Sequence, residues 1–204
     1  MESVTDIPWD QRLARVLVKP LVGTWVRPNH LTALSLLAAL GAAALFALGS
    51  ETAADWAAAL FMLAVFIDHT DGELARLTGT TSRFGHYFDY AVGSSNYTLL
   101  FVSLGVGLAQ GPMGNYALAL GLAAGLSNPV IVTLRLTMEK RYGKKAVAHP
   151  RFAAFELEDF IYLIGPIIWL GGLEYFFLIY GLGTLGYLGW TAWGFLRLRG
   201  RRAE

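Results

Sequence analysis

Six long stretches of the chain carry little or no charge, and they limit what it can fold into. They cover residues 32–50, 56–67, 97–109, 116–134, 160–172 and 175–196. Alone or with a short polar extension, most of them approach the roughly 20 residues with which a helix crosses a bilayer. We therefore expect an all-α membrane protein with six transmembrane helices.

The chain shows no separate soluble domain. It has 204 residues, of which 55% are hydrophobic and 15% charged, and it contains no low-complexity tract or long linker. Residues 1–204 are expected to form a single membrane domain, with the six-helix bundle over 29–204. The absence of cysteine excludes thiol catalysis and cysteine-ligated zinc.

The first 28 residues predict an amphipathic helix that lies in the headgroup plane. Apolar residues recur there at helical spacing beside basic ones. The alternative is an ordinary packing helix. No cleavable signal peptide is expected, because the segment has no continuous apolar core. The apolar residues are Trp9, Leu13, Val16, Leu17 and, less regularly, Leu21, and the basic ones are Arg12, Arg15 and Lys19.

Lysine and arginine predict the orientation, since they accumulate in cytoplasmic loops. All 16 basic residues fall before the first stretch, between the second and third, between the fourth and fifth, or after the sixth. The other three connections, at residues 49–55, 110–115 and 171–174, carry none. Both termini are therefore expected in the cytoplasm, in a bacterial or archaeal cytoplasmic membrane.

Acidic residues gather where the second and third stretches meet, in the segment 68–89, DHTDGELARLTGTTSRFGHYFD. On a helix, Asp68 and Asp71 share a face with Gly72 and Ala75, which present almost no side chain. Asp89 comes from the next helix, near the same cytoplasmic end. Three carboxylates there need a cation.

Oxygen ligands without histidine or cysteine point to Mg²⁺, or Mn²⁺ in its place, and two ions bridged by carboxylates are plausible. Arg76 is placed to contact a diphosphate, for which its planar guanidinium is suited. The alternative is that the acids only pair with Arg76 and Arg83 at the ends of their helices.

This segment resembles the CDP-alcohol phosphotransferase signature D-x2-D-G-x2-A-R-x8-G-x3-D-x3-D. The resemblance extends to the R-P-N-H-L-T segment at 27–32, with Asn29 and Thr32, and it implies a helical homodimer with a cavity open to the cytosol and the inner leaflet. It assigns Asp68, Asp71 and Asp89 to metal, and Gly72, Arg76 and Ser82 to the CDP donor. Seven of the eight signature positions agree, namely Asp68, Asp71, Gly72, Ala75, Arg76, Gly85 and Asp89.

The eighth position departs from the family, because Gly93 stands where an aspartate is expected to bind metal and act as general base. Three explanations stay open. In the first, the general base has moved to His86, which lies on the same helical face as Asp89 and Gly93. In the second, a metal-bound acceptor hydroxyl needs no dedicated base. In the third, this chain is an inactive form, natural or engineered. His69, rotated away from the Asp68 and Asp71 face, is interpreted as structural.

The resemblance implies a CDP-linked donor and a small polar alcohol acceptor, with transfer in phospholipid biosynthesis. Because a six-span chain resembles the bacterial phosphatidyltransferases, the expected donor is CDP-diacylglycerol. A soluble CDP-alcohol with a lipid acceptor is the alternative. Basic residues at loop ends favour a phosphorylated acceptor, whereas acidic residues that open the fifth stretch favour an amine or neutral polyol. The basic residues are Arg135, Lys140, Lys144 and Arg151, and the acidic ones are Glu156, Glu158 and Asp159.

Other classes of function fit these residues less well than transfer does. One alternative is a family member that binds CDP and metal without turnover, because Gly93 replaces the expected general base. A small transporter would carry its charged site near the bilayer midplane, which these acids do not match. No nucleic-acid partner is expected, because the basic residues follow membrane topology rather than one face.

Overall fold

The computed structural model describes residues 9–143 and 157–200, and every regular element in these ranges is a helix. Short 3-10 turns cover Lys19–Leu21 and Leu157–Leu163. The predicted all-α class is confirmed for this part of the chain. The helices are α1 (Trp9–Val18), α2 (Pro28–Ala47), α3 (Glu51–Thr78), α4 (Arg83–Leu108), α5 (Gly114–Tyr142), α6 (Ile164–Trp169) and α7 (Leu173–Gly200).

Four of these helices, α2 to α5, are long and apolar enough to cross a membrane. The predicted stretch 160–172 is shorter in the structure, because a 3-10 turn runs into the six-residue helix α6 and the chain then bends at Gly171, whose φ is 80°. Helix α7 has 28 residues, but glycines, tyrosines and tryptophans interrupt its apolar sequence. The fifth and sixth of the six predicted spans therefore stay a prediction.

Local sequence signals set the ends of the two helices that carry the acidic segment. At the start of α3 the Ser50 hydroxyl accepts a hydrogen bond from the Ala53 amide at 3.3 Å, and α3 ends at Gly79 with φ 65°. At the start of α4 the Ser82 hydroxyl accepts from the Gly85 amide at 2.9 Å. These are the usual helix caps. Only residues 79–82 connect α3 to α4, and α2 packs against both helices.

Helices α4 and α5 approach each other through glycines. A Cβ built on Gly121 would lie 2.5 Å from the Phe101 carbonyl oxygen and 2.8 Å from the Gly105 Cα. A Cβ on Gly125 would lie 2.8 Å from Val102. Any side chain there would push the helices apart, so these glycines serve packing, as small residues do in membrane helices.

Helix α1 packs against α3 through Ala14 and Val18, which are fully or almost fully buried. The predicted apolar residues Leu13, Val16 and Leu17 are exposed instead. The helix is therefore present and does pack on the bundle, but with its alanine and valine rather than with the predicted apolar stripe. The position of that stripe in the headgroup plane stays a prediction.

The apolar core occupies one half of the bundle. It is built from the ends of α2 to α5 and α7 that lie far from the acidic segment, together with α6, and contains Phe46, Phe61, Leu104, Phe176 and Phe177. The opposite half is not filled with apolar side chains. A cavity lies there instead.

Candidate active site

A cavity of about 1030 Å³ lies between α3, α4, α5, α7 and the 157–169 segment. One wall is polar and carries Asp68, Asp71 and Asp89, while the opposite wall is apolar and includes Ile131, Ile179 and other aliphatic and aromatic side chains. Its volume reaches the upper end of the range for small-molecule sites. The cavity can therefore take a large ligand that is polar at one end and apolar at the other.

Asp68, Asp71 and Asp89 converge on the polar wall. One carboxylate oxygen from each lies within 4.8 Å of the others, so all three can contact one ion. With a helix rise of 1.5 Å per residue, Asp68 lies about 15 Å before the end of α3 and Asp89 about 9 Å after the start of α4. The sequence predicted this grouping. The short connection between α3 and α4, with α2 packed against both helices, produces it.

Two hydroxyl groups of α2 hold these carboxylates from behind. The Thr32 hydroxyl donates a short hydrogen bond to Asp71 Oδ2. The Ser35 hydroxyl donates to Asp68 Oδ1 at 3.2 Å. Thr32 and Ser35 stand one helical turn apart and are both buried, at 2% and 0% exposure. Helix α2 therefore orients two of the three acids.

The alternative in which the acids merely pair with arginines applies to Glu73 and not to the aspartates. Glu73 is buried, and its carboxylate contacts Arg76 Nη2 at 2.6 Å and Arg15 Nε at 3.4 Å. Within the described residues, no ion pair joins Asp68, Asp71 or Asp89 to an arginine. Three carboxylates that two hydroxyl donors only partly satisfy form a hard, anionic oxygen set, which fits Mg²⁺ or Mn²⁺.

Gly72 and Arg76 line the cavity beside the acids. A Cβ on Gly72 would face the Arg76 guanidinium, 3.7 Å from both terminal nitrogens. The glycine therefore leaves free space between the helix backbone and the guanidinium group. The ion pair with Glu73 holds one terminal nitrogen of the Arg76 guanidinium, Nη2, while the side chain as a whole is still 52% exposed.

Gly93 lines the cavity one helical turn beyond Asp89. A Cβ placed on Gly93 would meet only Asp68 Oδ2 within 4 Å, at 3.5 Å, which is an ordinary contact. The missing side chain therefore points at the acidic group, and the surrounding structure leaves room for one.

Most of the remaining predicted residues lie outside the cavity lining. A Cβ on Gly85 would come within 3.1 Å of the Ser82 hydroxyl and 3.3 Å of Asn29 Oδ1, so these three residues meet where α2 and α4 begin. Ala75 lies half-buried on α3. His86 is exposed and packs edge-on against Tyr90, with ring centroids 4.8 Å apart. His69 lines the cavity, and its Nδ1 is 3.1 Å from the Tyr162 hydroxyl.

Several cavity residues had no signal in the sequence. Asn96 is buried on α4, and Asn128 lies next to Pro129 inside α5. Arg135, by contrast, was predicted as a possible contact for a phosphorylated acceptor, and it lies in the cavity wall, where its Nη1 donates to the Tyr187 hydroxyl at 2.5 Å. Isolated polar residues in apolar helices are a general sign of function, and that rule could have identified the two asparagines.

Comparison with known proteins identifies the family of this chain. A 66-residue part of the chain is 48% identical to a protein of Cereibacter sphaeroides named CDP-diacylglycerol--glycerol-3-phosphate 3-phosphatidyltransferase, and the match covers 32% of this chain and 30% of that protein. The chain thus spans under a third of this relative's length. The sequence model of the CDP-alcohol phosphatidyltransferase family matches residues 25–196, which include every helix that lines the cavity. The chain belongs to the CDP-alcohol phosphatidyltransferase family.

Proposed function

We propose that this protein transfers a phosphatidyl group from CDP-diacylglycerol to a polar alcohol and releases CMP. The observation that carries the proposal is the convergence of Asp68, Asp71 and Asp89 on the wall of a large, half-apolar cavity. The polar wall suits a diphosphate, and the apolar wall suits acyl chains. Membership of the family supports the reaction class.

In the proposed mechanism, Asp68, Asp71 and Asp89 hold one or two Mg²⁺ ions. The bound metal would supply positive charge that offsets the charge of the diphosphate. Arg76 binds the diphosphate with its guanidinium, and the bare backbone at Gly72 lets the donor approach the helix closely. Ser82, Gly85 and Asn29 meet where α2 and α4 begin, outside the cavity lining, and we propose that they contact the donor from there. Thr32 would act through its hydrogen bond to Asp71.

The acceptor alcohol then attacks the phosphorus on the lipid side of the diphosphate. A new bond forms between that phosphorus and the alcohol oxygen, the bond to the bridging oxygen breaks, and CMP leaves with the electron pair. The alcohol proton must leave as well. Gly93 cannot take it. Within the proposal it goes either to His86 or, if the acceptor hydroxyl is metal-bound and needs no dedicated base, to solvent water.

We propose a phosphorylated acceptor of the glycerol 3-phosphate type. The relative from Cereibacter sphaeroides is named for that substrate, and Arg135 places a guanidinium in the cavity wall. An arginine held against Tyr187, with 5.9 Å between its guanidinium carbon and the ring centroid, is pre-oriented for a phosphate group. The stretch 144–156, with Lys144, Arg151 and Glu156, lies outside the described residues.

Replacing Arg135 with glutamine is expected to lower kcat/KM for glycerol 3-phosphate by about 10- to 100-fold, the effect of losing a charged hydrogen bond. Activity with unphosphorylated glycerol should change little. The measurement is CMP release at varied acceptor concentration. Lys140, which packs over the Tyr87 ring at 4.9 Å outside the cavity lining, provides the control Lys140→Gln. An equal loss with both acceptors would contradict the phosphate contact.

The second candidate function is binding of CDP and metal without turnover, and Gly93 is the observation that favours it. In this case the chain would keep the donor site and lack the proton acceptor. The two functions differ in one measurement, because only the transferase releases CMP.

We also propose that the protein crosses the cytoplasmic membrane with six spans and has its active site on the cytoplasmic side. We propose that it forms a homodimer. The four long apolar helices support membrane insertion. The basic residues lie at the helix ends nearest the acids, and exposed aromatic residues near the opposite ends, such as Trp56, Tyr116, Trp169 and Tyr175, are placed as in an interfacial belt.

The test of the proposed function is CMP release from CDP-diacylglycerol by the purified protein in Mg²⁺, across a panel of alcohols that includes glycerol 3-phosphate, inositol phosphate, serine and glycerol. Release with one acceptor establishes transfer and identifies the acceptor. If no acceptor supports release although CDP binds in a metal-dependent manner, the second candidate is correct.

A further inference from the structure

A chain of three buried polar side chains connects α4, α2 and α3. The Asn96 side-chain amide donates from Nδ2 to Ser35 Oγ at 2.8 Å, and the Ser35 hydroxyl donates to Asp68 Oδ1 at 3.2 Å. Asn96 and Ser35 are 1% and 0% exposed. An ionised Asp68 carboxylate has no proton to donate and can only accept, so the Ser35 hydroxyl is the donor in its bond to Asp68. The Ser35 oxygen is then the acceptor for the Asn96 amide. The direction of the chain is thereby fixed.

Folding stability alone does not account for Asn96. Its Oδ1 is buried and has no hydrogen-bond partner among the described residues. A buried carbonyl without a partner costs free energy, and an apolar side chain of similar volume would avoid that cost. A buried polar residue at this position in a long apolar helix points to function.

We propose that Asn96 and Ser35 are positioning residues that orient the Asp68 carboxylate for the metal ion. The inference rests on the metal site under the proposed function. A hydrogen bond at Oδ1 fixes the plane of the carboxylate and leaves Oδ2 toward Gly93, whose Cβ position is 3.5 Å away. Gly93 has no side chain to steady Asp68 from that side, so the orientation of Asp68 depends on the bonds from α2 and α4.

The experiment measures Mn²⁺ binding to the full chain in detergent, without substrate, from the electron paramagnetic resonance signal of free Mn²⁺. The variants are Ser35→Ala, Asn96→Leu and the double variant, each with a thermal unfolding curve. Ser103→Ala is the matched control, because Ser103 is also buried but, among the residues that the structure describes, bonds only to the Leu100 carbonyl of its own helix.

Each single substitution is expected to raise the Kd for Mn²⁺ by about 10-fold, as is usual for groups that orient a metal ligand. The double variant should be no weaker than the weaker single variant, because both changes break the same connection. Asn96→Leu should unfold at the same temperature as the unsubstituted protein or higher, and Ser103→Ala should bind Mn²⁺ normally.

An unchanged Kd in Ser35→Ala and Asn96→Leu, while the unsubstituted protein binds Mn²⁺, would overturn the positioning role and leave the metal site intact. Loss of binding in step with loss of thermal stability would also overturn it. If Asn96→Leu fails to fold, Ser35→Ala, which removes a single oxygen atom, decides the question. If the unsubstituted protein binds no Mn²⁺, the result overturns both the metal site and the positioning role.

Discussion

Replacing Asp71 with asparagine is expected to lower CMP release by about a thousandfold and to abolish metal-dependent binding of CDP. The substitution keeps the shape of the side chain and its bond from Thr32, but it removes one of three converging charges. Bound metal contributes several kcal/mol to charge stabilisation, and each 1.36 kcal/mol changes a rate tenfold. The measurements are CMP release and CDP binding in the presence and absence of Mg²⁺.

Asp55→Asn is the matched control for this prediction. Asp55 stands on the same helix, about 20 Å from Asp68 at a rise of 1.5 Å per residue, at the end away from the cavity. It should keep normal CMP release. CDP binding by Asp71→Asn that equals binding by the unsubstituted protein would show that these carboxylates do not hold the metal.

Introducing an aspartate at position 93 is expected to raise CMP release by about 100-fold or more, the usual contribution of a positioned general base. The site can accept the new side chain, because a Cβ at Gly93 meets only Asp68 Oδ2 within 4 Å. The added carboxylate would also join the metal ligands, so the Kd for Mn²⁺ should fall. The rate is measured at saturating Mg²⁺. Under this condition tighter metal binding no longer raises the rate, and a faster rate reports the action of the new carboxylate as general base.

The matched control is Gly93→Asn, which has the same shape and cannot take a proton at neutral pH. It should leave CMP release unchanged or lower it. If the asparagine and aspartate variants release CMP equally fast, a missing base at this position is not what limits the protein. If the unsubstituted protein already matches Gly93→Asp, the base lies elsewhere, and His86→Gln becomes the variant to measure.

The acidic site was predictable because its residues lie close together in the sequence. Asp68 and Asp71 share a face of one helix by spacing alone, and a short turn brings Asp89 to the same end of the next helix. Gly93 was recognised for the same reason, through the fixed spacing of the signature. Helical periodicity, however, did not predict which side of α1 packs on the bundle, since Ala14 and Val18 have small side chains and give a weak apolar signal.

Contacts between distant parts of the chain could not be predicted. Ser35 and Asn96 are separated by 61 residues, and nothing in either local sequence shows that they meet beside Asp68. Glu73 lies two residues after Asp71 in the same acidic segment, but in the structure its carboxylate contacts Arg15 and Arg76. Such partners depend on how the helices cross.

The sequence by itself determined the all-helical class, the sites where helices begin and end, and the set of carboxylates, because hydrophobicity, capping and helical spacing act over a few residues. Only the tertiary structure decided the cavity, the place of Arg135 in its wall and the hydrogen bonds from α2 that hold Asp68 and Asp71. The physical reason is the close approach of the helices. Glycines such as Gly105 and Gly121 set it, and the position of one helix against the next fixes which polar groups meet.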